Sequence, residues 1–302
     1  MHESYLSTLR LLLRILPTVF EGGRLALKGG TAINLFVNDF PRVSVDIDCT
    51  FVDASLKRAK ALLEIQGEIE RMAGAYESAG FKVKRVGAGD KLTVSDGKTV
   101  VKIEINTVMR GILLPAIQMP VCQALQTLIP GTSYSVPVHH PDELYAGKIV
   151  AALDRQHPRD LFDILLLLQN QGLTDQMLDC FVIYLAGHNR PMHEVLVGND
   201  QPLEDVYHSS FVGMTKETIK LEQLENTRRQ LRTMLLERLG ERRKRFLHTF
   251  AAAQPDWTLS VFESAQDFPA IKWKLQNLNK LRRSNPNKWM DQLNLLDRTL
   301  GL

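Results

Sequence analysis

The segment from Leu27 to Val52, LKGGTAINLFVNDFPRVSVDIDCTFV, constrains the fold more than any other part of the chain. Its pattern predicts a glycine turn, a short helix and then a strand that carries two alternating acids. Because successive side chains of a strand point to opposite faces, Asp46 and Asp48 share one face, and Val45, Ile47 and Cys49 share the other. We therefore expect a strand with one apolar face and one acidic face.

The acidic pair predicts a cation site. Two carboxylates a few ångströms apart repel each other unless a proton or a metal ion lies between them. Hard oxygen ligands in this arrangement suit Mg²⁺ or Mn²⁺ better than Zn²⁺. The alternative is a solvated strand edge, which is a common setting for an Asp-x-Asp pair.

The glycine turn predicts an anion site. Lys28, Gly29, Gly30 and Thr31 precede an apolar helical run at 32–37. Glycines let the backbone turn closely, Thr31 or a neighbour can cap the helix, and the free N–H groups at its start favour a phosphate. Most Gly-Gly pairs before helices are only turns. Here, however, one helix and one loop separate the turn from the acids, so together they predict a site for a metal and a nucleoside triphosphate.

Taken together, KGGTAINLF and RVSVDIDCTF resemble the signature of the nucleotidyltransferase superfamily. More narrowly, they resemble the AbiEii type of nucleotidyltransferase toxin found in bacterial toxin–antitoxin and phage-defence systems. The resemblance also suggests that Ser44 contacts a phosphate. The expected nucleotide-binding residues are Lys28, Gly29, Gly30, Thr31, Ser44 and Lys148.

A third acid is expected on a later strand. Strand-like runs cover 81–86, 91–95 and 99–108, and the Asp-Gly turn at 96–97 predicts a hairpin. In the last run Glu104 points away from the apolar residues. If that strand pairs with the Asp-x-Asp strand, Glu104 completes a three-carboxylate metal site with Asp46 and Asp48. The alternative is an exposed polar strand face, but the resemblance favours the third acid.

A second informative stretch is HPDELYAGKIVAALDRQHPRDLFDILLLL, from His140 to Leu168. It predicts one helix with Lys148 and Arg155 on the same face, and a second helix that carries Asp160 and Asp163. This pair resembles two helices of the AbiEii family. The resemblance implies that Lys148 neutralises phosphate charge and that Asp163 assists catalysis by orienting the incoming hydroxyl. The alternative is a surface ion-pair network, in which Asp160 pairs with an arginine.

Periodicity and breaker residues give further expectations. We expect a packing helix over 3–20 that ends near Pro17, and an amphipathic helix over 55–79 stopped by Gly80. Residues 111–140 are expected to be a loop-rich crossover that ends in a surface loop at His139 and His140. Residues 197–215 are also expected to form a loop.

The C-terminal third is rich in basic residues. The segment 216–249 predicts a long helix or helix pair with a leucine face and a basic outer face. We define the predicted basic face as Arg228, Arg229, Arg232, Arg238, Arg242, Arg243, Lys244 and Arg245. Such faces are usually only solvated, but the run 242–245 has no interleaved acid and predicts phosphate-backbone contacts. A second basic cluster at 272–283 accompanies Trp273 and Trp289, which we expect in the core or at a lobe contact.

Composition narrows the class of protein. The chain has 302 residues, three cysteines and a formal net charge of +3. The cysteines lack zinc-site or disulfide spacing, which favours a reducing cytoplasm. We find no signal-peptide pattern and no run of roughly 20 apolar residues, so we expect a soluble protein without membrane contact.

These observations predict an α/β nucleotidyltransferase fold, with a mixed β-sheet flanked by helices. Residues 1–138 are expected to form the nucleotidyltransferase core, and 139–302 a helical lobe that completes the active-site cleft. The expected reaction is Mg²⁺-dependent transfer of NMP from an NTP to an RNA acceptor. The resemblance implies the 3′ end of tRNA as acceptor, a block of translation and a cognate antitoxin as partner. The alternatives are transfer to a protein or small molecule, and a non-catalytic NTP-binding regulator.

Overall fold

The computed structural model describes residues 3–302, with side chains from residue 5 onward. The chain forms two compact units. Unit 1 comprises the residues up to Leu144 together with Val212–Thr218, and unit 2 comprises Tyr145–Phe211 and Ile219–Leu302. The division falls inside one helix, six residues after the predicted boundary at 138. The assignment of a catalytic core and a lobe to these parts stays a prediction.

Unit 1 is built on a mixed sheet, which has seven strands in the described residues, in the order β3-β4-β5-β2-β1-β7-β6. The strands are β1 (Leu25–Lys28), β2 (Asp46–Phe51), β3 (Lys82–Val86), β4 (Lys91–Ser95), β5 (Val100–Asn106), β6 (Ile117–Pro120) and β7 (Ser135–Val138). The helices are α1 (Glu3–Phe20), α2 (Gly29–Ala32), α3 (Arg58–Ser78) and α4 (Gln123–Leu128); a π-helical turn, Ile33–Val37, continues α2.

The sheet confirms the strand predictions around the acidic pair. Strand β2 runs parallel to β5 and antiparallel to β1, while β3, β4 and β5 are antiparallel neighbours. Helices α1 and α3 pack against the sheet. Ile47, Cys49 and Ile103 are fully buried, whereas Asp46 is exposed. The alternation of side chains along β2 therefore separates an apolar face from an acidic face, as the sequence predicts.

Helix α1 does not end near Pro17, as predicted, but continues through it to Phe20. A proline inside a helix removes the N–H that would bond to the carbonyl four residues earlier, here that of Leu13. The hydroxyl of Tyr134 donates to this Leu13 carbonyl at 2.7 Å. A side chain remote in sequence thus satisfies the carbonyl that Pro17 leaves open, and the helix can continue.

The prediction of a loop-rich crossover at 111–140 was wrong. This segment contains β6, α4 and β7, and β7 pairs with β1 in parallel, so the two strands extend the sheet beyond β1. The four prolines obscured the strands in the sequence. Pro120 and Pro137 lie in β6 and β7 themselves, where each strand has only four residues. By contrast, α3 matches its predicted apolar face, and Gly80 follows it with a φ of +83°.

Unit 2 is helical in the described residues, apart from loops. Helix α5 (Pro141–Asp154) begins in unit 1. It is followed by α6 (Pro158–Asn170), α7 (Asp175–Ala186), α8 (Met192–Val197), α9 (Glu204–Ser210), α10 (Leu221–Arg238), α11 (Gly240–Ala251), α12 (Pro269–Ser284) and α13 (Pro286–Leu300). Short 3₁₀ turns occupy Trp257–Leu259 and Glu263–Asp267.

Two predictions for unit 2 can be compared directly with these helices. Helix α9 lies inside 197–215, so the expectation of a loop there was wrong; its seven residues are too few for periodicity to reveal. The predicted helix pair over 216–249 is confirmed as α10 and α11, with Leu224, Leu231 and Leu235 buried. No helix in the described residues is long and apolar enough to cross a membrane.

Candidate active site

The candidate site in unit 1 is a row of charged residues that crosses the sheet in register. Lys28 on β1 pairs with Asp48 on β2, which pairs with Glu104 on β5, which in turn pairs with Lys91 on β4. Side chains directly opposite each other on neighbouring strands share a face and lie close together. The structure therefore brings Asp48 and Glu104 side by side, as predicted from their positions on the two strands.

Asp46 is the next residue of β2 on the same face. It pairs with Lys102 of β5 and is exposed. Burial raises the pKa of Asp48, and the nearby charges of Asp46 and Glu104 raise it further. The positive charges of Lys28 and Lys102 oppose this rise. The pKa of Lys28 is in turn lowered by burial, which outweighs the attraction of Asp48. Asp48, next to Lys28 in the row, is thus an acid whose ionised form is disfavoured, as expected for neighbouring carboxylates.

Glu104 is held by two lysines. Its carboxylate lies 3.2 Å from Lys91 Nζ and 2.5 Å from Lys102 Nζ. Burial opposes ionisation of Glu104, but hydrogen bonds from Lys102 and Lys91 outweigh it and lower its pKa. Glu104 is therefore ionised, and its charge is balanced by Lys102 of its own strand and by Lys91 of β4.

The glycine turn lies directly against the acidic row. Gly29 has a φ of +75°, and a Cβ at this position would lie 3.0 Å from Asp48 Oδ2. At Gly30 a Cβ would lie 2.9 Å from Ser44 Oγ and 2.9 Å from Arg42 Nη2. Gly29 is favoured by its left-handed backbone conformation, and at both positions an added Cβ would force a neighbouring side chain to shift.

Thr31 does not cap the helix, contrary to expectation. Lys28 occupies the N-cap position and makes no capping hydrogen bond through its side chain. The Thr31 hydroxyl instead donates to the Asp46 carbonyl and shares a hydrogen bond of 3.0 Å with the Ser44 hydroxyl. Thr31 and Ser44 therefore link the start of α2 to the strand that carries the acids.

Arg42 is a residue of this site that the sequence analysis missed. It is 2% exposed, and its Nη1 donates to the Val43 carbonyl at 2.9 Å. Its guanidinium lies against Gly30, beside Ser44. The signal was present in the spacing, because positions 42, 44, 46 and 48 alternate in the pattern Arg-x-Ser-x-Asp-x-Asp.

His139 was predicted to lie in a surface loop, and this was wrong. It is 1% exposed, its backbone N–H donates to the Leu27 carbonyl, and its Nδ1 lies 3.7 Å from Glu143 Oε1. Burial first and the charge of Lys28 second lower its pKa to about 3, so the imidazole is neutral. Glu143 accepts hydrogen bonds from the amides of Leu113 and Leu114, each at 3.0 Å. The end of β7 thus places a neutral imidazole near Lys28.

The residues predicted on the helix pair lie in unit 2. Lys148 of α5 contacts Asp160 at 2.7 Å and Asp163 at 3.0 Å, both on α6, and the three side chains are almost fully buried. Arg155, which is largely exposed, also contacts Asp160 at 2.5 Å. Burial opposes ionisation of Asp160, but the charges of Lys148 and Arg155 outweigh it and hold the pKa of Asp160 well below its usual range. The structure thus shows a buried ion-pair cluster rather than a surface network.

The predicted basic face carries less unpaired charge than its sequence indicates. Arg242 and Arg243 both contact Asp179 of α7, and Arg243 also contacts Asp175. Arg245 pairs with Glu241, and Arg228 and Arg232 pair with Asp200. The run at 242–245 lacks interleaved acids in sequence, but helix packing supplies them. Three of the four residues of this run are therefore paired with acids, and its phosphate-backbone contacts stay a prediction.

The two tryptophans of the second basic cluster differ from each other. The Trp289 Nε1 donates to the Ala251 carbonyl at 3.1 Å, which agrees with a packing role. Trp273 is 55% exposed, so its expected place in the core was wrong. The buried residues of α12 are Ala270, Ile271 and Lys274.

The residue types of this site and their strand register suit a divalent metal, whereas the side-chain positions do not form a metal-binding group. Asp46, Asp48 and Glu104 share one sheet face and supply the carboxylate oxygens that a hard cation prefers. Within the described part of the chain, no three histidine, cysteine or acidic side chains already converge as a metal-binding group. Glu104 does not join Asp46 and Asp48 in such a group because its carboxylate forms ion pairs with Lys91 and Lys102.

The fold is similar to that of a solved nucleotidyltransferase toxin. MenT4 from Mycobacterium tuberculosis H37Rv superposes with a TM-score of 0.61 over 92% of this chain and 95% of that chain. The sequence identity is 16%, so the likeness concerns the fold. The search of curated proteins found no match.

The family comparison identifies the class of enzyme. The family described as nucleotidyl transferase AbiEii toxin, type IV toxin–antitoxin system, matches residues 10–277. With the glycine turn and the acidic row, this match defines the chain as a nucleotidyltransferase. The chain belongs to the AbiEii toxin family. Membership implies an NTP substrate, a divalent metal and an antitoxin partner.

Proposed function

We propose that this toxin transfers NMP from an NTP to a hydroxyl at the 3′ end of tRNA and thereby blocks translation. The observation that carries the nucleotidyl-transfer part is the in-register row of Lys28, Asp48 and Glu104, with the turn at Gly29 so close that an added Cβ would lie 3.0 Å from Asp48 Oδ2. The new bond joins the acceptor oxygen to the α-phosphorus, the bond to the β-phosphate oxygen breaks, and pyrophosphate leaves. The acceptor hydroxyl releases its proton to water.

Asp46, Asp48 and Glu104 are the residues that would hold Mg²⁺. When bound, Mg²⁺ neutralises phosphate charge and favours ionisation of the attacking hydroxyl. Gly29 and Gly30 leave room for the triphosphate, because neither carries a side chain between the backbone and the acidic row. Ser44, Thr31 and Lys28 border the same turn and add a hydroxyl pair and a cation.

Lys148 and Asp163 keep the roles that the family resemblance assigns to them. Lys148 is proposed to neutralise phosphate charge, and Asp163 to orient the incoming hydroxyl. Both residues are engaged with each other at 3.0 Å in this structure. A phosphate contact by Lys148 would therefore replace one anionic partner of the ammonium with another. The contribution of Lys148 to protein stability can be measured by unfolding, and its contribution to nucleotidyl transfer by the rate of label transfer.

The acceptor class is supported by the family and not by surface charge, since acids neutralise most of the predicted basic face. One assay decides it. The purified protein is incubated with Mg²⁺, total tRNA and each of the four NTPs labelled at the α-phosphate. We expect label in tRNA with the wild type and none with Asp46→Ala.

The matched control is Asp267→Ala, which removes an exposed acid that pairs only with Lys272 among the described ion pairs. It should label tRNA as the wild type does. Label in protein or in a small molecule, with none in RNA, would replace the proposed acceptor. Intact NTP binding without pyrophosphate release under any of these conditions would instead support a regulator.

The Gly29→Ala variant is expected to lower the rate of transfer strongly, whereas Gly23→Ala should leave it unchanged. Both glycines have a φ near +70°, so each alanine costs about 1 kcal/mol of backbone strain. Only at Gly29 does the added Cβ meet another group, namely Asp48; nothing lies within 4 Å at Gly23. Thermal unfolding and label transfer are measured for both. Equal transfer by the two variants would show that the contact with Asp48 does not matter.

A further inference from the structure

Unit 2 contains a cavity of about 290 Å³ that the proposed reaction does not use. Residues of α8, α11, α12 and α13 and of the loop before α8 line it. Its apolar wall is formed by Met192, Leu278, Leu281, Trp289, Leu293 and Leu296. A mostly apolar cavity with a few polar groups is the usual form of a small-molecule site, and this volume lies near the lower end of that range.

A buried cation lies in the wall of this cavity. Lys274 is 8% exposed, and its Nζ donates to the carbonyls of Asn189 at 3.1 Å and Arg190 at 2.7 Å. An ammonium has three N–H donors, so these bonds leave one of them for another acceptor. Neutral carbonyls orient the ammonium without balancing its charge. Among the ion pairs of the described residues, none involves Lys274.

The charged residues that line the cavity favour binding of an anion. The fourteen lining residues include a second lysine, Lys288, and no aspartate or glutamate. Burial lowers the pKa of Lys274 to about 8, against a weaker opposing effect of Glu194. The side chain is therefore mostly charged at neutral pH, and a buried charge without a counter-ion is costly.

We propose that this cavity binds a small organic acid, in which a single carboxylate sits on an apolar body. The carboxylate accepts the remaining N–H of Lys274, and the apolar body packs against the leucines and Trp289. One negative charge matches the one buried ammonium, and the enclosing leucines exclude a fully polar ligand. The site is separate from the acidic row, because every lining residue belongs to unit 2.

The test uses octanoate as the probe and the full-length protein, with calorimetry to measure binding. We expect octanoate to bind the wild type, and 1-octanol and octylamine, which have the same chain without the carboxylate, to bind at least about tenfold more weakly. Lys274→Met should weaken octanoate binding by about tenfold or more. Lys272→Met is the matched control, because Lys272 lies on the same helix, is exposed and pairs with Asp267.

The proposal would be overturned by equal binding of octanoate and 1-octanol, or by unchanged octanoate binding by Lys274→Met. If Lys274→Met does not fold, Leu293→Trp fills the cavity from its other wall and should abolish octanoate binding. Absence of octanoate binding to the wild type would also reject the site. The fluorescence of Trp289, compared between wild type and Trp289→Phe, reports whether the probe enters this cavity.

Discussion

The Asp48→Asn variant is expected to transfer nucleotide about 10³-fold more slowly than the wild type, because a cation that stabilises transition-state charge contributes several kcal/mol. Asparagine keeps the shape of the side chain but removes the central negative charge of the row between Lys28 and Glu104. The measurement is the initial rate of label transfer under single-turnover conditions, with thermal unfolding measured on the same samples.

The stability of Asp48→Asn should not fall, and this separates chemistry from folding. The pKa of Asp48 is raised in the folded state by burial and by Asp46 and Glu104. Its ionised form is therefore disfavoured on folding above its unfolded pKa, so at neutral pH the neutral asparagine removes a cost. We expect an unfolding temperature equal to or above that of the wild type. A variant that transfers at the wild-type rate would remove Asp48 from the proposed metal site.

The Lys148→Met variant is expected to lower the unfolding temperature by about 10 °C, because breaking a buried ion pair costs about 3–5 kcal/mol in a protein of this size. Lys148 lies between Asp160 and Asp163, whose side chains are 3% and 0% exposed. Without the ammonium, two buried carboxylates face each other. Differential scanning calorimetry at neutral pH measures the shift.

Two further variants test this explanation. Arg155→Met removes the other partner of Asp160, but the Arg155 side chain is 63% exposed, so we expect a loss of about 1 kcal/mol or less. In the triple variant Lys148→Met, Asp160→Asn, Asp163→Asn, no buried charge remains unbalanced, and most of the lost stability should return. If Lys148→Met unfolds at the wild-type temperature, the cluster does not stabilise unit 2, and Lys148 is available for a phosphate role alone.

The pH dependence of this effect follows from Asp160. Lys148 and Arg155 hold its folded-state pKa below the unfolded value of about 3.9. A depressed carboxyl pKa stabilises the fold above the unfolded pKa, and this contribution is lost as the pH falls through the folded-state value. The difference between wild type and Lys148→Met should therefore persist at pH 5 and shrink only in stronger acid.

The strands of unit 1 show which features a local sequence pattern predicts and which it does not. Alternation along β2 and β5 is a property of nearby residues, so it predicted correctly which faces carry Asp46, Asp48 and Glu104. The short strands β6 and β7 escaped the analysis because each has four residues and contains a proline. Strand β7 joins the sheet by pairing with β1, more than 100 residues earlier, and β6 joins it by pairing with β7; no local pattern records the first of these pairings.

The environment of the charged residues was harder to predict from local sequence than the positions of the strands. The run at 242–245 contains no acid within it, yet Asp179 of α7, more than 60 residues earlier, lies against Arg242 and Arg243. His139 is in a polar stretch of sequence but fully buried beside β1. Whether a charge is solvated, paired or buried depends on what packs over it, and that is decided by contacts distant in sequence.

By itself, then, the sequence determined the elements whose cause is local: the glycine turn before α2, the acidic face of β2, the hairpin of β4 and β5, and the family that these motifs identify. The tertiary structure alone decided the neighbours. It supplied Lys91 and Lys102 as ion-pair partners of Glu104, set Arg42 against Gly30, and enclosed Lys148 between two aspartates. Side-chain direction follows from backbone periodicity, whereas proximity and burial follow from long-range pairing and packing.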